Sequence, residues 1–232
     1  MIGILLICTG KYDQFVTPLL DSLEKHFLTG VNKKYYLFTD KDFVDGRVEH
    51  IKIQRKGFPG DTLYRFHYFL TIEEKLKRET QCLYYMDVDM LCVNNLSAEI
   101  IPIQSRPLVA VAHPGYFMRS LGTPEDDRRS TAFIDVNEFR PCYWAGGFSG
   151  GLTNDYLEMA KVIKSNIDKD LTIGHIAKWH DESHLNRYLT SNLNKVKTLN
   201  PSYCYSNQCV QGHPAIIPRL VALDKNHEEV RS

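Results

Sequence analysis

Ile2-Gly3-Ile4-Leu5-Leu6-Ile7-Cys8 is an apolar run of seven residues that ends abruptly at Thr9-Gly10. A run without polar alternation has no face to give to water, so it suits a central parallel strand covered on both sides. It is too short to cross a bilayer and lacks a basic leading region, and no later segment reaches eighteen apolar residues. The expectation is therefore a chain with no membrane span, at a cytoplasmic address.

Such a strand needs covering helices and parallel neighbours, and the next segments supply them. Phe15, Leu19, Leu20, Leu23 and Phe27 recur at helical spacing, and Tyr35 to Thr39 reads as a second strand. Val48 to Ile53 reads as a third strand, and the positions between Leu63 and Leu76 give a further helix. Cys82 to Met86 and Leu108 to Ala112 are strands, Thr153 to Ile167 a late helix, and Glu182 to Leu189 the start of another. Strands alternating with helices predict an α/β domain with a Rossmann-like, mostly parallel central sheet flanked by helices. Sheets of this kind bind ligands beyond the carboxyl ends of their strands.

Composition excludes more than it selects. Lys plus Arg and Asp plus Glu are 28 each, so no basic field points to nucleic acid, and an anionic ligand must be held by a few placed cations. The six cysteines show no Cys-x-x-Cys and no dense spacing in a chain of 232 residues, which reads as reduced thiols; Cys204 and Cys209 are the pair to watch in an oxidising compartment.

Two clusters carry chemistry. Asp87-Val88-Asp89 follows the apolar strand that ends at Met86, and residues two apart on a strand share a face, so both carboxylates can meet one ion. A hard divalent cation, Mn²⁺ or Mg²⁺, takes oxygen ligands and commonly shares them between carboxylates and substrate phosphates. Two acids in a solvated turn give the same string, so placement carries the metal reading. The second cluster, Trp179-His180-Asp181-Glu182-Ser183-His184, precedes an amphipathic stretch. It reads as a sugar platform with two acids at a reacting carbon, as a zinc pair formed by His180 and His184, or as a helix N-terminus favouring acids. The zinc signature requires Glu directly after the first His, and Asp181 occupies that position.

The two clusters in this order resemble the family 6 glycosyltransferases, which include the histo-blood-group A and B transferases and the α1,3-galactosyltransferase. The resemblance runs over nearly the whole chain, through Tyr36 to Asp40, Met86 to Asp89, His113 to Tyr116, Arg128-Arg129, Tyr143 to Gly151, Trp179 to Asn186 and Leu199 to Tyr203. It continues in Lys225-Asn226-His227 and Val230-Arg231, and is weakest over Met118 to Asp127. It implies a GT-A type fold in one catalytic domain spanning 1–232, with a nucleotide-binding half at 1–95. A half for donor sugar and acceptor follows at 96–220, and a tail at 221–232 closes over the diphosphate. The membrane anchor and stem of the mammalian members do not appear, so the resemblance is to the short bacterial and viral members.

The same resemblance implies the partners and the site. A UDP-sugar is the donor, and an oligosaccharide or other glycan bearing a β-galactoside is the acceptor. Asp87 and Asp89 are the metal ligands; Ile7, Thr9 and Tyr12 hold uracil and ribose. Arg65, Val88, His180 and Asp181 contact the donor, and Lys225 and Arg231 cover its diphosphate. Glu182 lies nearest the anomeric carbon, and His113, Thr131 and Trp179 join it on the acceptor side. Ala145, Gly146 and Gly147 lie where members choose between galactose and N-acetylgalactosamine, with Ala145 and Gly147 on the selecting positions. Their minimal side chains leave volume for a 2-acetamido group, which favours UDP-N-acetylgalactosamine, although glycines also serve close backbone packing. The alternative to an enzyme is a catalytically silent module that binds sugar nucleotides or glycans on the same scaffold.

Overall fold

The structure is a computed structural model and describes residues 1–226. The apolar run is β1 (Ile2–Cys8), and it is buried along almost its entire length. It pairs in parallel with β2 (Lys33–Thr39) on one side and β4 (Cys82–Met86) on the other, and β3 (Val48–Lys52) adds to β2 in parallel. Helix α1 (Asp13–His26) covers one face, burying Val16, Leu19, Leu20 and Leu23 against Ile4 and Leu6.

The predicted helix between Leu63 and Leu76 is three short ones: α2 (Gly60–Leu63), α3 (Arg65–Leu70) and α4 (Glu73–Glu79). Its apolar spacing is real, since Leu63, Phe66, Phe69 and Leu76 are all in the core of the opposite face. The path breaks where Thr71 donates its hydroxyl to the carbonyl of Tyr68 at 2.6 Å and Ile72 leaves helical backbone, with φ −121° and ψ 25°. A β-branched pair with a hydroxyl competing for the backbone is a poor helix interior.

After β5 (Met90–Cys92) and β6 (Leu108–Ala112) comes β7 (Trp144–Leu152), which sequence periodicity does not reveal because four of its nine residues are glycine. It inserts between β4 and β6, antiparallel to both. Its glycines are there for contact: a Cβ on Gly150 would lie 2.4 Å from the ring of Tyr84, and one on Gly151 2.7 Å from the carbonyl of Pro107. Helix α5 (Thr153–Thr172) leaves β7 directly and runs past the predicted end at Ile167. Helix α6 (His180–Ser191), β8 (Val196–Leu199), α7 (Asn207–Val210) and β9 (Leu220–Ala222) follow among the described residues.

The central sheet has seven strands in the order β3-β2-β1-β4-β7-β6-β8, parallel except for β7. A small second sheet pairs β5 with β9, antiparallel. This pairing brings the end of the described chain back beside the strand that follows Asp89. All six cysteines are unbridged, and no helix among the described residues is long and apolar enough to cross a membrane.

Candidate active site

The carboxyl ends of β1 and β4 open onto a cavity of about 300 Å³. Ile7, Thr9 and Tyr12 reach it from the end of β1, Arg65 from α3, and Asp87, Val88 and Asp89 from the end of β4, with Lys225 over the top. The turn after β1 is fixed by Gly10, whose φ of 60° suits glycine and whose amide donates to Asp40 at 3.1 Å. Arg55, Phe58, Asp61, Thr62 and Tyr85 also line the cavity and were not anticipated. Of these, Asp61 carried a signal only in space: it accepts from the Thr9 hydroxyl at 2.9 Å and from the Lys56 amide at 2.7 Å.

Asp87 and Asp89 share a site, but not by strand alternation. β4 ends at Met86, and the two acids stand on the turn between β4 and β5. The amide of Asp87 still donates to Gly147 on β7 at 3.0 Å, extending the ladder by one bond. One Asp87 oxygen accepts a short hydrogen bond from the Tyr85 phenol, which burial keeps protonated. Asp89 is buried, and its carboxylate pairs closely with the Lys225 ammonium. That contact follows from the small sheet, since Leu223 just past β9 donates its amide to the Asp89 carbonyl at 2.9 Å. Two hard carboxylates at the cavity wall fit a divalent cation that completes its shell with phosphate oxygens and water. Among the described residues no third His, Cys, Asp or Glu joins them. A buried carboxylate facing a lysine shows that this position demands a positive partner. Arg231 lies outside the described residues.

The second cluster packs behind the first. Residue His180 opens α6 with a φ of 53°, rare for a residue with a Cβ, and its ring meets Phe58 edge-on at 5.1 Å. Asp181 and Glu182 follow in the first turn. Asn186, fully buried one turn on, accepts from the Trp144 amide at 2.8 Å and donates to the Trp144 carbonyl at 2.8 Å and the Glu182 carbonyl at 2.9 Å. Its amide group replaces a strand partner for β7 and thereby fixes α6 against it.

At this point β7 leaves its ladder. Ala110 pairs with Ser149 but Val111 pairs with Ala145, so the intervening residues of β7 bulge away from β6. The freed backbone of Gly146 is used on both sides of its Cα: its N–H donates to a Glu182 oxygen at 2.6 Å, and its carbonyl takes a short hydrogen bond from Arg65. Arg65, itself buried, also lies 3.1 Å from Asp181, 3.7 Å from Asp87, and over the Tyr85 ring at 4.1 Å. One buried guanidinium thus joins the Asp-Val-Asp turn, the bulged glycine and the acidic start of α6.

Charge in this nest is closely balanced. Burial works against the Arg65 cation, but the carboxylates of Asp181 and Asp87 outweigh it and hold the pKa above the usual range. Asp181 is raised to about 6 by burial, against the opposing pull of Arg65. Glu182 is pushed up to about 7 by burial, with the Gly146 amide offsetting part of the effect and the charge of Asp181 adding to it. Asp181 is buried and lines neither cavity, and neither of its oxygens receives a well-aligned hydrogen bond among the described residues, the Arg65 ion pair being its charged partner.

On the far side, beyond the end of β6, a second cavity of about 560 Å³ is lined by His113, Tyr116, Tyr143 and Asn200, with Met118 and Leu121 at its edge. Burial lowers the His113 pKa to about 4, so the ring is neutral. Nδ1 accepts from the Gly115 amide at 3.0 Å, which assigns the proton to Nε2 and makes that edge a donor. Trp179 precedes α6 with 43% of its surface exposed. Thr131 stands apart from both cavities: its hydroxyl donates to Asn166 at 3.0 Å and its amide to Asp170 at 2.8 Å, both on α5. The space beside Gly147 is also less open than its missing side chain suggests, since a Cβ there would lie 3.0 Å from Met90, 3.1 Å from Asp87 and 3.2 Å from Cys204.

The sequence profile described as Glycosyltransferase family 6 matches residues 62–232. The chain is 33% identical over 244 residues to globoside alpha-1,3-N-acetylgalactosaminyltransferase 1 of Gallus gallus, covering 100% of this chain and 69% of that protein. It is 30% identical over 237 residues to O-antigen biosynthesis glycosyltransferase WbnI of Escherichia coli, covering 98% of this chain and 96% of the relative. To histo-blood group ABO system transferase 1 of Rattus norvegicus it is 31% identical over 247 residues, covering 100% and 68%. Matches of this extent, on a mostly parallel sheet whose strand ends converge on paired acids, mean that the chain belongs to glycosyltransferase family 6 and is a glycosyltransferase.

Proposed function

We propose that the enzyme transfers N-acetylgalactosamine, or galactose, from UDP in α1,3 linkage onto a β-galactoside, with retention of the donor configuration and with a divalent cation. The observation that carries this reading is the Arg65 hub, which ties the Asp-Val-Asp turn to Glu182 through the backbone carbonyl and N–H of one residue, Gly146. A diphosphate at Asp87 and Asp89 then has its sugar lying toward Asp181 and Glu182. Asp87 and Asp89 are the residues that would hold Mn²⁺ or Mg²⁺, which would supply positive charge to neutralise departing UDP.

In this reading Ile7, Thr9 and Tyr12 hold the nucleoside, and Val88 and His180 line its path to the sugar. Lys225 exchanges its partner, Asp89, for the diphosphate, so the tail excludes water once the donor is in place. Asp181 accepts from a donor-sugar hydroxyl. Glu182 faces the reacting carbon, where the transition state is oxocarbenium-like, and as a carboxylate it is the nucleophile or the charge stabiliser. His113 and Trp179 hold the acceptor, Trp179 by stacking on a sugar face and His113 by donating from Nε2. The chain acts as one catalytic unit from 1 to 232, at a cytosolic address.

Preference for the 2-acetamido donor is supported by the minimal side chains of Ala145 and Gly147 and by the acetylgalactosaminyl activity in the name of the Gallus gallus relative. Met90, Asp87 and Cys204 crowd the space beside Gly147, so a 2-acetamido group entering there would have to displace the Met90 tip. The test is UDP release and product formation from UDP-N-acetylgalactosamine and UDP-galactose, with lactose and 2′-fucosyllactose as acceptors, with and without EDTA. A clear preference for UDP-galactose refutes the donor assignment. Equal rates with and without EDTA refute the metal, and no UDP release from either donor favours a silent binding module.

A further inference from the structure

An aromatic as exposed as Trp179 ordinarily samples several rotamers, yet here its indole is fixed. Its Nε1–H meets both the carbonyl oxygen and the hydroxyl of Thr123, at 3.0 and 2.9 Å. The same hydroxyl lies 2.8 Å from the Tyr116 phenol, and the Tyr116 ring packs 4.8 Å from His113 and 5.5 Å from Tyr143. A hydroxyl has one proton and two lone pairs, so Thr123 satisfies both neighbours at once.

The stretch around Thr123 is itself tied to the residue before Trp179. Buried Glu125 accepts from the Lys178 amide at 2.6 Å and the Asp127 amide at 2.8 Å, and the Lys178 ammonium pairs with Asp126 at 2.8 Å. Residues 123–127 and 178–179 therefore hold together.

We propose that Thr123 is a positioning residue for the acceptor, holding the Trp179 indole at a fixed angle to the His113 imidazole through Tyr116. The acceptor chemistry it serves is a pyranoside whose apolar face lies on the indole while a hydroxyl meets the imidazole edge. The inference rests on the acceptor-side reading of Trp179 and His113. An indole fixed in advance loses no rotamer freedom on binding, so the effect belongs in acceptor affinity and not in donor activation.

Thr123→Val removes the hydroxyl at constant shape on an exposed loop, and Thr123→Ser restores it. With UDP-N-acetylgalactosamine and lactose or 2′-fucosyllactose, Thr123→Val is expected to raise acceptor KM about three- to tenfold, the worth of one or two modest hydrogen bonds. Hydrolysis of the donor without acceptor should stay within about twofold, and Thr123→Ser should return KM toward wild type. The indole is read independently by acrylamide quenching, because the other tryptophan, Trp144, is fully buried and Trp179 dominates the quenchable signal. Quenching should rise in Thr123→Val and not in Thr123→Ser. Unchanged quenching overturns the clamp whatever the acceptor. Raised quenching with unchanged KM on an acceptor the wild type uses overturns the positioning role, as does a parallel loss in donor hydrolysis and transfer. If wild type uses neither acceptor, the acceptor class fails while quenching still decides on the clamp.

Discussion

Glu182 combines a short bond from a backbone amide, a half-buried side chain and a neighbouring acid, and these predict how the transfer rate depends on pH. Its pKa of about 7 and that of Asp181, about 6, belong to an interacting pair and appear as shared macroscopic steps. Both are raised, so both groups hold protons at pH values where ordinary carboxylates do not. The form that stabilises positive charge accumulates as pH rises through about 7. The transfer rate should therefore rise from pH 5.5 to 8 along a limb that Glu182→Gln abolishes, measured as kcat at saturating donor and acceptor. Glu182→Gln should also lower kcat by about 10²- to 10⁴-fold while UDP affinity by calorimetry changes little. A near-normal kcat removes Glu182 from the chemistry. Most of these residues were legible from the resemblance of Asp87-Val88-Asp89 and Trp179 to Asn186. The role of Asn186 as a surrogate strand partner was not, because a buried amide paired with a distant backbone leaves no local pattern.

At the scale of elements, β7 explains both the success and the failure of reading the sequence. Apolar strands such as β1 and β4 announce themselves by a lack of polar residues. β7 is half glycine where it meets Tyr84 and the carbonyl of Pro107, and glycine carries no periodic signal. Its glycines divide by task, with Gly150 and Gly151 allowing close packing and Gly146 lending its N–H to Glu182 and its carbonyl to Arg65. Gly150→Ala should consequently cost about 1–3 kcal/mol or more of stability through overpacking against Tyr84, read by urea denaturation, and a neutral substitution would refute the packing. The three-part break of the predicted helix at Leu63 to Leu76 has a similar origin. Its apolar spacing fixed which side chains enter the core, but the Thr71 hydroxyl and the turn at Tyr64 decided the backbone path.

Across the whole molecule, equal numbers of cations and anions mean that binding a diphosphate depends on placement. Arg65 is buried among acids, and Lys225 is delivered to Asp89 by the β5–β9 sheet. The charges are neutralised internally and must re-pair when a donor enters. Donor and cation binding should then stabilise the fold: at a hundredfold excess of UDP over Kd with Mn²⁺ present, linkage gives about 2.7 kcal/mol. For a domain of this size that corresponds to a rise in Tm of about 5–10 °C. Asp89→Asn should lose most of this shift, and a full shift in that variant would detach the cation from Asp89. In the proposed mechanism one cation held by Asp87 and Asp89 would place the sugar beside Glu182. This placement is tested most directly by a crystal structure with UDP-N-acetylgalactosamine and Mn²⁺, located by its anomalous signal. The predicted result is an ion shared by both aspartates and the diphosphate, with the anomeric carbon facing Glu182. A diphosphate bound away from that turn, or a reacting carbon remote from Glu182, would contradict it.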